Sequence, residues 1–206
     1  MDSSSSRQET IHWFLAFPNN WATLFMLKSG FSTLAANSYK FLTGETLPDD
    51  CDIYGQAERY FRSYSDIKDC KKFIVWRDPI DRCISIYNEM KCNPRSHGAL
   101  RPLVNMESIY HFIHDYIRCR EVNTLTLTWY LEYLGLDVNE FLFVDISKLE
   151  DFSRNELGFT GIWKVRNRYD SREKVSEATK SLFRNSSPLK RHFHNDYLLY
   201  KNVQHY

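Results

Sequence analysis

Short apolar runs alternate along the chain with stretches whose apolar residues recur at helical spacing. Residues 23–27, 73–76 and 141–144 form runs without polar alternation, the pattern of strands that are buried on both faces. This order predicts an α/β protein: a P-loop-like, three-layer domain with a short central parallel sheet flanked by helices. In such sheets ligands bind beyond the carboxyl ends of the strands.

The stretches between these runs predict the remaining elements. Residues 10–20 form a packed apolar segment that ends in a turn, and a helix after Ser32 ends at Thr43-Gly44. Further helices are predicted over 56–65, from Asp78-Pro79 onward, around 109–117, over 124–134, after a Ser147 cap, after a Ser171 cap with Val175, Ala178 and Leu182 inward, and from Ser187 through Tyr197.

Length and composition limit the possible domain organisation, partners and cellular compartment of the protein. The 206 residues suit a single domain over residues 10–206, preceded by a serine-rich lead-in at 1–9. The 27 basic and 26 acidic residues provide no global field for nucleic acid or an anionic membrane. No apolar stretch reaches the roughly 20 residues of a membrane span. Five cysteines without a C-x-x-C pair favour a reducing, cytoplasmic setting and argue against a disulfide framework or a zinc site.

The first stretch with candidate chemistry lies where the run at 23–27 meets the following helix. A strand, a tight loop and a helix N-terminus leave several backbone N–H groups directed at the positive end of the helix dipole, which suits an anion. A lysine adds a full positive charge there, and hydroxyl groups add donors. The candidate ligands are Lys28, Ser29, Gly30, Phe31, Ser32 and Thr33.

A second such stretch begins at Arg77, directly after the run at 73–76. Asp78 is a predicted N-cap with Pro79 at the first helical position. Ser85 falls two turns further on, at a spacing that allows the guanidinium of Arg77 and the Ser85 hydroxyl to hold one phosphate. From the residues alone, this reading and that of a plain helix cap with surface charges are equally good.

Together the two stretches resemble sulfotransferases that use 3′-phosphoadenosine 5′-phosphosulfate (PAPS), in particular the carbohydrate and membrane-type superfamily, with this chain as a small stand-alone soluble member. Residues 77–87 match the family motif R-[DN/H]-P-x-x-R-x-x-S-x-Y at every fixed position. Residues 28–33 resemble the 5′-phosphosulfate loop, although Leu27 stands where proline is usual. Residues 143–149 and 195–200 resemble later parts of the family fold.

The resemblance implies transfer of a sulfuryl group from PAPS to an acceptor hydroxyl or amine, with PAP as product and no metal. Lys28 would stabilise the leaving oxygen, and the loop would hold the 5′-phosphate. Arg77 and Ser85 would hold the 3′-phosphate, and Asn167 would touch the nucleotide. The basic residues around it, Arg166 and Arg168 with Lys164, would either close over the 3′-phosphate or form an exposed charged loop.

The general base and the acceptor are not identified by the motifs. Glu45 and Glu58 are the leading candidates for the base, with His97, His111 and His114 as outside alternatives, whereas His192 and His194 are expected at the surface. A carbohydrate or a small hydroxylated metabolite is the favoured acceptor, bound by loops at 43–58 and 92–106. Two other functions stay open: a non-catalytic nucleotide-binding protein, and a P-loop kinase, which would need its lysine after a second glycine and an acidic strand end such as Asp145.

Overall fold

The computed structural model describes residues 14–26, 29–46, 61–92, 108–119, 124–163 and 175–206. Within them the strands are β1 Phe14–Phe17, β2 Trp21–Leu24, β3 Phe61–Arg62, β4 Lys71–Trp76 and β5 Phe141–Asp145. The helices are α1 Phe31–Thr43, α2 Pro79–Cys92, α3 Ile109–Arg118, α4 Leu127–Leu134, α5 Leu149–Asn155, α6 Glu177–Arg184, α7 Ser187–His192 and α8 His194–Lys201.

The chain divides into two compact units. The first comprises residues 1–77, 131–166 and 203–206, and the second comprises residues 78–130 and 167–202. All of the described strands belong to the first unit. A single domain over 10–206 stays a prediction.

The sheet of the first unit has the strand order β3-β1-β2-β4-β5. The strands β2, β4 and β5 are parallel, whereas β1 is antiparallel to both β2 and β3. The α/β class is therefore confirmed, but the expectation of a purely parallel sheet is corrected to a mixed one. The three-layer, P-loop-like description stays a prediction.

The antiparallel part arises in a segment that sequence patterns did not mark as a strand. Residues 14–17 were expected only as a packed stretch, yet they form β1 and turn back through residues 18–20 onto β2. Asn20 has a φ of 63°, a conformation that asparagine tolerates better than most residues. This hairpin explains why the strand predicted at 23–27 begins earlier, at Trp21, and ends at Leu24.

The helix predicted over 56–65 is wrong where the structure describes it. Residues 61–62 form β3, and a short 3-10 helix follows at Ser65–Ile67. The Asp66 carboxylate accepts hydrogen bonds from the backbone N–H and the hydroxyl of Ser63. A side chain that satisfies the local backbone in this way favours a turn over a continuing helix.

Helices α1 and α5 share one apolar cluster with the sheet in the first unit. Leu34 and Ala35 enter it from α1, and Leu149 and Phe152 from α5. They meet inward side chains of four strands: Leu15, Phe17, Trp21, Phe73, Val75 and Val144. As predicted, α1 ends at Gly44, whose φ of 77° supplies the left-handed turn after the last helical residue.

The second unit contains a separate core, built from helices. Its buried apolar residues come from α2, α3, α6 and α7 and from Phe193, between α7 and α8. The rings of Phe112 and Phe183 lie 5.8 Å apart, and Tyr87 packs 5.0 Å from Phe112. This cluster anchors α2, the helix that carries most of the residues of the Arg77 motif.

Several predicted helix boundaries shift. Asp145, not Ser147, accepts the capping hydrogen bond after β5, and Ser176, rather than Ser171 outside the described residues, caps α6. Ala178 and Leu182 are exposed while Phe183 is buried, so α6 turns a different face inward than predicted. The last predicted helix divides at Phe193 into α7 and α8.

Two opposite charges are buried in the second unit around the start of α4. The guanidinium of Arg82, 1% exposed, donates to the carbonyl of Leu125. Asp196, also 1% exposed, accepts hydrogen bonds from the N–H groups of Leu127 and Thr128 and from the Thr128 hydroxyl, at 2.7–3.0 Å. Asp196 therefore caps α4 from α8, and the cap satisfies donors that burial would otherwise leave unpaired.

His192 is not the surface residue that the sequence predicts. Its ring packs 4.7 Å from that of Phe193 and edge-on to Tyr116. Burial lowers the pKa of His192 and the charge of Arg82 lowers it further, against the opposing effects of Asp196 and the Thr124 backbone. The folded state therefore favours the neutral imidazole.

Among the described residues, no helix combines the length and the apolar character that crossing a bilayer requires.

The Asp196 cap predicts a large effect of its removal. We expect Asp196→Ala to lower the free energy of unfolding by about 2–3 kcal/mol, because three donors lose a charged acceptor in a buried place. Urea denaturation followed by circular dichroism measures the loss. Asp115→Ala, which removes only the exposed pair with His114, should stay within about 1 kcal/mol of the wild type. Equal losses for the two variants would contradict the capping role.

The lowered pKa of His192 predicts an acid-side loss of stability. A group whose pKa is depressed in the folded state contributes stability above its unfolded pKa of about 6.5, and that contribution falls as the pH drops below this value. We expect the free energy of unfolding of His192→Phe to decline less than that of the wild type between pH 7 and pH 5. The exposed neighbour variant His194→Phe should keep the wild-type slope; a slope unchanged in His192→Phe would refute the assignment.

Candidate anion-binding loop

Three connections of the first unit meet at one edge of its sheet. The register pairs Thr23 of β2 with Phe73 of β4, and Trp76 of β4 with Asp145 of β5. The carboxyl ends of these parallel strands are therefore neighbours. They lead into the loop before α1, into Arg77, and into the 3-10 helix Ile146–Lys148. This is the edge at which α/β sheets bind ligands.

The start of α1 has the features of an anion site. Its N-cap is Gly30, with φ 80° and ψ 4°; in the part of the chain that the structure describes, no side chain caps it, and its first turn contains no acidic residue. The helical ladder begins with the N–H of Leu34, which donates to the carbonyl of Gly30 at 3.0 Å. The positive end of a thirteen-residue helix is thus not neutralised by its own first turn.

Ser29 adds a second observation at the same place. Its side chain is only 2% exposed, and its Oγ has no hydrogen-bond partner among the described residues. A buried hydroxyl without a partner is unfavourable by roughly 1–3 kcal/mol. A ligand oxygen or an ordered water at this loop would relieve that cost.

Gly30 is held tightly against the connection after β5. A Cβ atom added to it would lie 3.0 Å from Cδ1 and 3.2 Å from Cγ1 of Ile146. Asp145 fixes this connection, because its Oδ1 accepts hydrogen bonds from the N–H and the hydroxyl of Ser147 at 2.8 and 2.6 Å. The loop therefore needs glycine for its positive φ and also for its close packing.

The structure describes only some of the other residues that the sequence predicts for the site. Ser32 and Thr33 lie in the first turn of α1 and are half-buried, and the backbone of Phe31 opens the helix. The other predicted residues, Lys28, Glu58, Arg166, Asn167 and Arg168, lie outside the described residues. Their roles stay predictions.

Glu45 is not brought to the loop. It is exposed just beyond Gly44, where its carboxylate accepts a hydrogen bond from the Tyr39 hydroxyl at 3.3 Å and its N–H donates to Thr43 Oγ1 at 3.1 Å. Because α1 has thirteen residues and rises about 1.5 Å per residue, roughly 20 Å separate Glu45 from Gly30. A general base must lie within hydrogen-bonding reach of the group that it deprotonates.

The Arg77 motif is divided between the units. Arg77 follows β4 in the first unit and is half-buried. In the second unit, Asp78 Oδ1 accepts hydrogen bonds from the N–H groups of Ile80 and Asp81 at 2.8 and 3.1 Å. Asp78 is thus the predicted N-cap of α2. Ser85 lies half-buried on α2.

Asp78 also binds a residue that sequence reasoning did not connect with it. The hydroxyl of Tyr197 on α8 donates to both carboxylate oxygens of Asp78, at 3.1 and 3.0 Å. Burial raises the pKa of Tyr197, and the Asp78 charge raises it further. The only available signal was that residues 195–200 resemble the family's terminal helix, which does not identify a partner.

Three of the motif's fixed residues therefore support the structure of the second unit. Asp78 caps α2 and accepts from Tyr197, Arg82 is buried against Leu125 and Phe193, and Tyr87 packs in the helical core. The resemblance assigns the 3′-phosphate to the other two residues, Arg77 and Ser85, and that role stays a prediction.

In the described parts of the chain, His, Cys, Asp and Glu residues form no group of three or more that could hold a metal ion.

The packing of Gly30 predicts a specific response to an added methyl group. Gly30→Ala should lower the free energy of unfolding by about 1–2 kcal/mol from the positive φ, and by about 1–3 kcal/mol more from the clash with Ile146. Gly158→Ala is the matched control, because Gly158 has a φ of 76° but nothing within 4 Å of an added Cβ.

A double variant isolates the clash. Ile146→Val removes the Cδ1 atom that the new methyl group would approach, so Gly30→Ala/Ile146→Val should recover part of the loss measured by chemical denaturation. Equal destabilisation by Gly30→Ala and Gly158→Ala would show that the contact with Ile146 is not a constraint.

The chain matches no protein-family model, no curated protein and no solved structure.

Proposed function

We propose that the protein is a sulfotransferase that moves a sulfuryl group from PAPS to an acceptor hydroxyl or amine. The observation that carries the proposal is the start of α1: a left-handed glycine N-cap without a capping side chain among the described residues, at the carboxyl ends of parallel strands, beside the buried and unpartnered Ser29 hydroxyl. The resemblance of residues 77–87 to the family's 3′-phosphate motif indicates PAPS as the nucleotide that would bind at this anion site.

Each group has a separate task in the proposed reaction. The backbone N–H groups and hydroxyls of residues 29–33 bind the 5′-phosphate of the donor. Arg77 binds the 3′-phosphate, which distinguishes PAPS from ATP, and Ser85 keeps the same role by resemblance. PAPS supplies an activated sulfuryl group; its bond to the bridging oxygen breaks as the acceptor oxygen or nitrogen bonds to sulfur. The electron pair stays on the leaving oxygen, where Lys28 neutralises the charge.

The acceptor proton passes to a general base that the motifs leave open. Glu58 stays the candidate, because Glu45 lies at the far end of α1. The favoured acceptor is a carbohydrate or a small hydroxylated metabolite.

The second candidate function is nucleotide binding without turnover. One observation favours it: of the two leading candidates for the base, Glu45, the one that the structure describes, is not at the loop. The anion site and the Arg77 motif would then serve binding alone. Turnover with labelled PAPS and a panel of hydroxylated acceptors distinguishes the two functions.

The proposed roles of Lys28 and Arg77 predict different defects. Lys28→Ala should lower the single-turnover rate by about 100- to 1,000-fold with little change in PAP affinity, because the lysine acts on charge that develops in the transition state. Arg77→Ala should weaken PAP binding by about 10- to 100-fold, because hydrogen bonds to a charged phosphate are lost. Calorimetric titration with PAP and rapid-quench assays measure the two effects.

A control variant and two contrary outcomes test the roles of Lys28 and Arg77. Lys91→Ala, on the exposed end of α2, should match the wild type in both measurements. Tighter binding of ATP with magnesium than of PAP would contradict the proposal in favour of a kinase. An unchanged single-turnover rate in Lys28→Ala would remove the catalytic role of the lysine.

A further inference from the structure

A cavity of about 320 Å³ lies in the first unit, along the C-terminal half of α1. Its lining comes from that helix and from the segment after α5, and includes Asn37, Lys40, Phe41, Arg154, Phe159 and Trp163. Lys40 follows Gly30 by ten residues, so about 15 Å of helix separates the two Cα atoms. The cavity is therefore distinct from the loop that binds the donor in the proposed function.

Aromatic rings form the apolar wall of this cavity. Phe159, which is 7% exposed, lies 4.7 Å from Phe41 at 50° and 6.0 Å from Trp163 at 83°. Tilted and edge-to-face contacts of this kind hold the rings in fixed orientations. Such a wall suits a flat apolar body, and the volume excludes a long acyl chain.

Two cations contribute to the same lining but differ in their partners. Arg154 donates from Nε and Nη2 to Glu150 Oε1 at 3.1 and 2.8 Å, and from Nη1 to the carbonyl of Gly161 at 3.0 Å. The Arg154–Glu150 pair is therefore neutral as a whole and holds residue 161 in place. Lys40 forms no ion pair with any acidic residue that the structure describes, and the described lining residues include no carboxylate.

From these features we infer that the cavity binds a small aromatic monocarboxylate. The rings of Phe41, Phe159 and Trp163 contact the flat body, and the Lys40 ammonium pairs with the carboxylate. A cationic ligand is disfavoured by the Lys40 ammonium, although aromatic walls alone would accept one. A single uncompensated ammonium group matches one negative charge rather than two.

Titration calorimetry on the full chain tests this site with two probes of the same shape. The carboxylate probe is 2-naphthoate, and 2-naphthamide is its neutral counterpart. We expect 2-naphthoate to bind at one site and at least about tenfold more tightly than the amide, the size expected for a hydrogen bond to a charged group. Equal affinities for the two probes would overturn the inference.

Variants of the lining residues test which side chain contacts the carboxylate and which contacts the aromatic body of the ligand. Lys40→Met should weaken 2-naphthoate about tenfold and abolish the preference over the amide, whereas Lys68→Met, at an exposed position of the same unit, should leave both affinities unchanged. Trp163→Ala should weaken both probes alike. Thermal melts of each variant check that it remains folded; wild-type affinity in a folded Lys40→Met variant would also overturn the inference.

Competition separates this site from the loop. Saturation with PAP should leave 2-naphthoate binding unchanged, and displacement by PAP would show that the probe occupies the loop instead. The inference does not rest on the proposed function, since the probe titrations keep their meaning if PAP does not bind.

Discussion

The packing of Gly30 against Ile146 is the constraint on which the first unit depends most. Gly30 brings the backbone into a left-handed conformation, and its missing side chain lets the loop approach the connection after β5. Helix α1 starts at this loop and places Leu34 and Ala35 in the apolar cluster that it shares with α5 and the sheet. The same glycine leaves the helix start without a capping side chain among the described residues, so one small residue serves both the packing and the proposed anion site.

The motif of residues 77–87 combines two kinds of requirement. Asp78, Arg82 and Tyr87 are needed for the structure of the second unit, since they cap α2, bind a buried carbonyl and fill the helical core. In the proposed function Arg77 and Ser85 bind phosphate, so a folding constraint and a binding constraint would act on the same short stretch.

Helix α1 separates two kinds of chemistry in the first unit. Its N-terminal end has no capping side chain among the described residues and lies beside the buried Ser29 hydroxyl, and its C-terminal half lines an aromatic cavity with Lys40. Because the helix is about 20 Å long, a small ligand at one end would not contact residues at the other end. This length also places Glu45 with the cavity end rather than with the loop.

The sequence by itself determined the α/β class, the strands that precede the candidate loops, and the helix boundaries at Asp78-Pro79 and Thr43-Gly44. These features follow from apolar runs, capping residues and glycine, each of which acts over only a few residues. Tertiary structure decided what depends on distant partners. The hairpin of β1 and β2 makes the sheet mixed, Tyr197 binds Asp78 across 119 positions of sequence, Asp196 caps a helix on another segment, and His192 is half-buried against Phe193. No local pattern encodes these contacts, since each forms only when separate elements pack together.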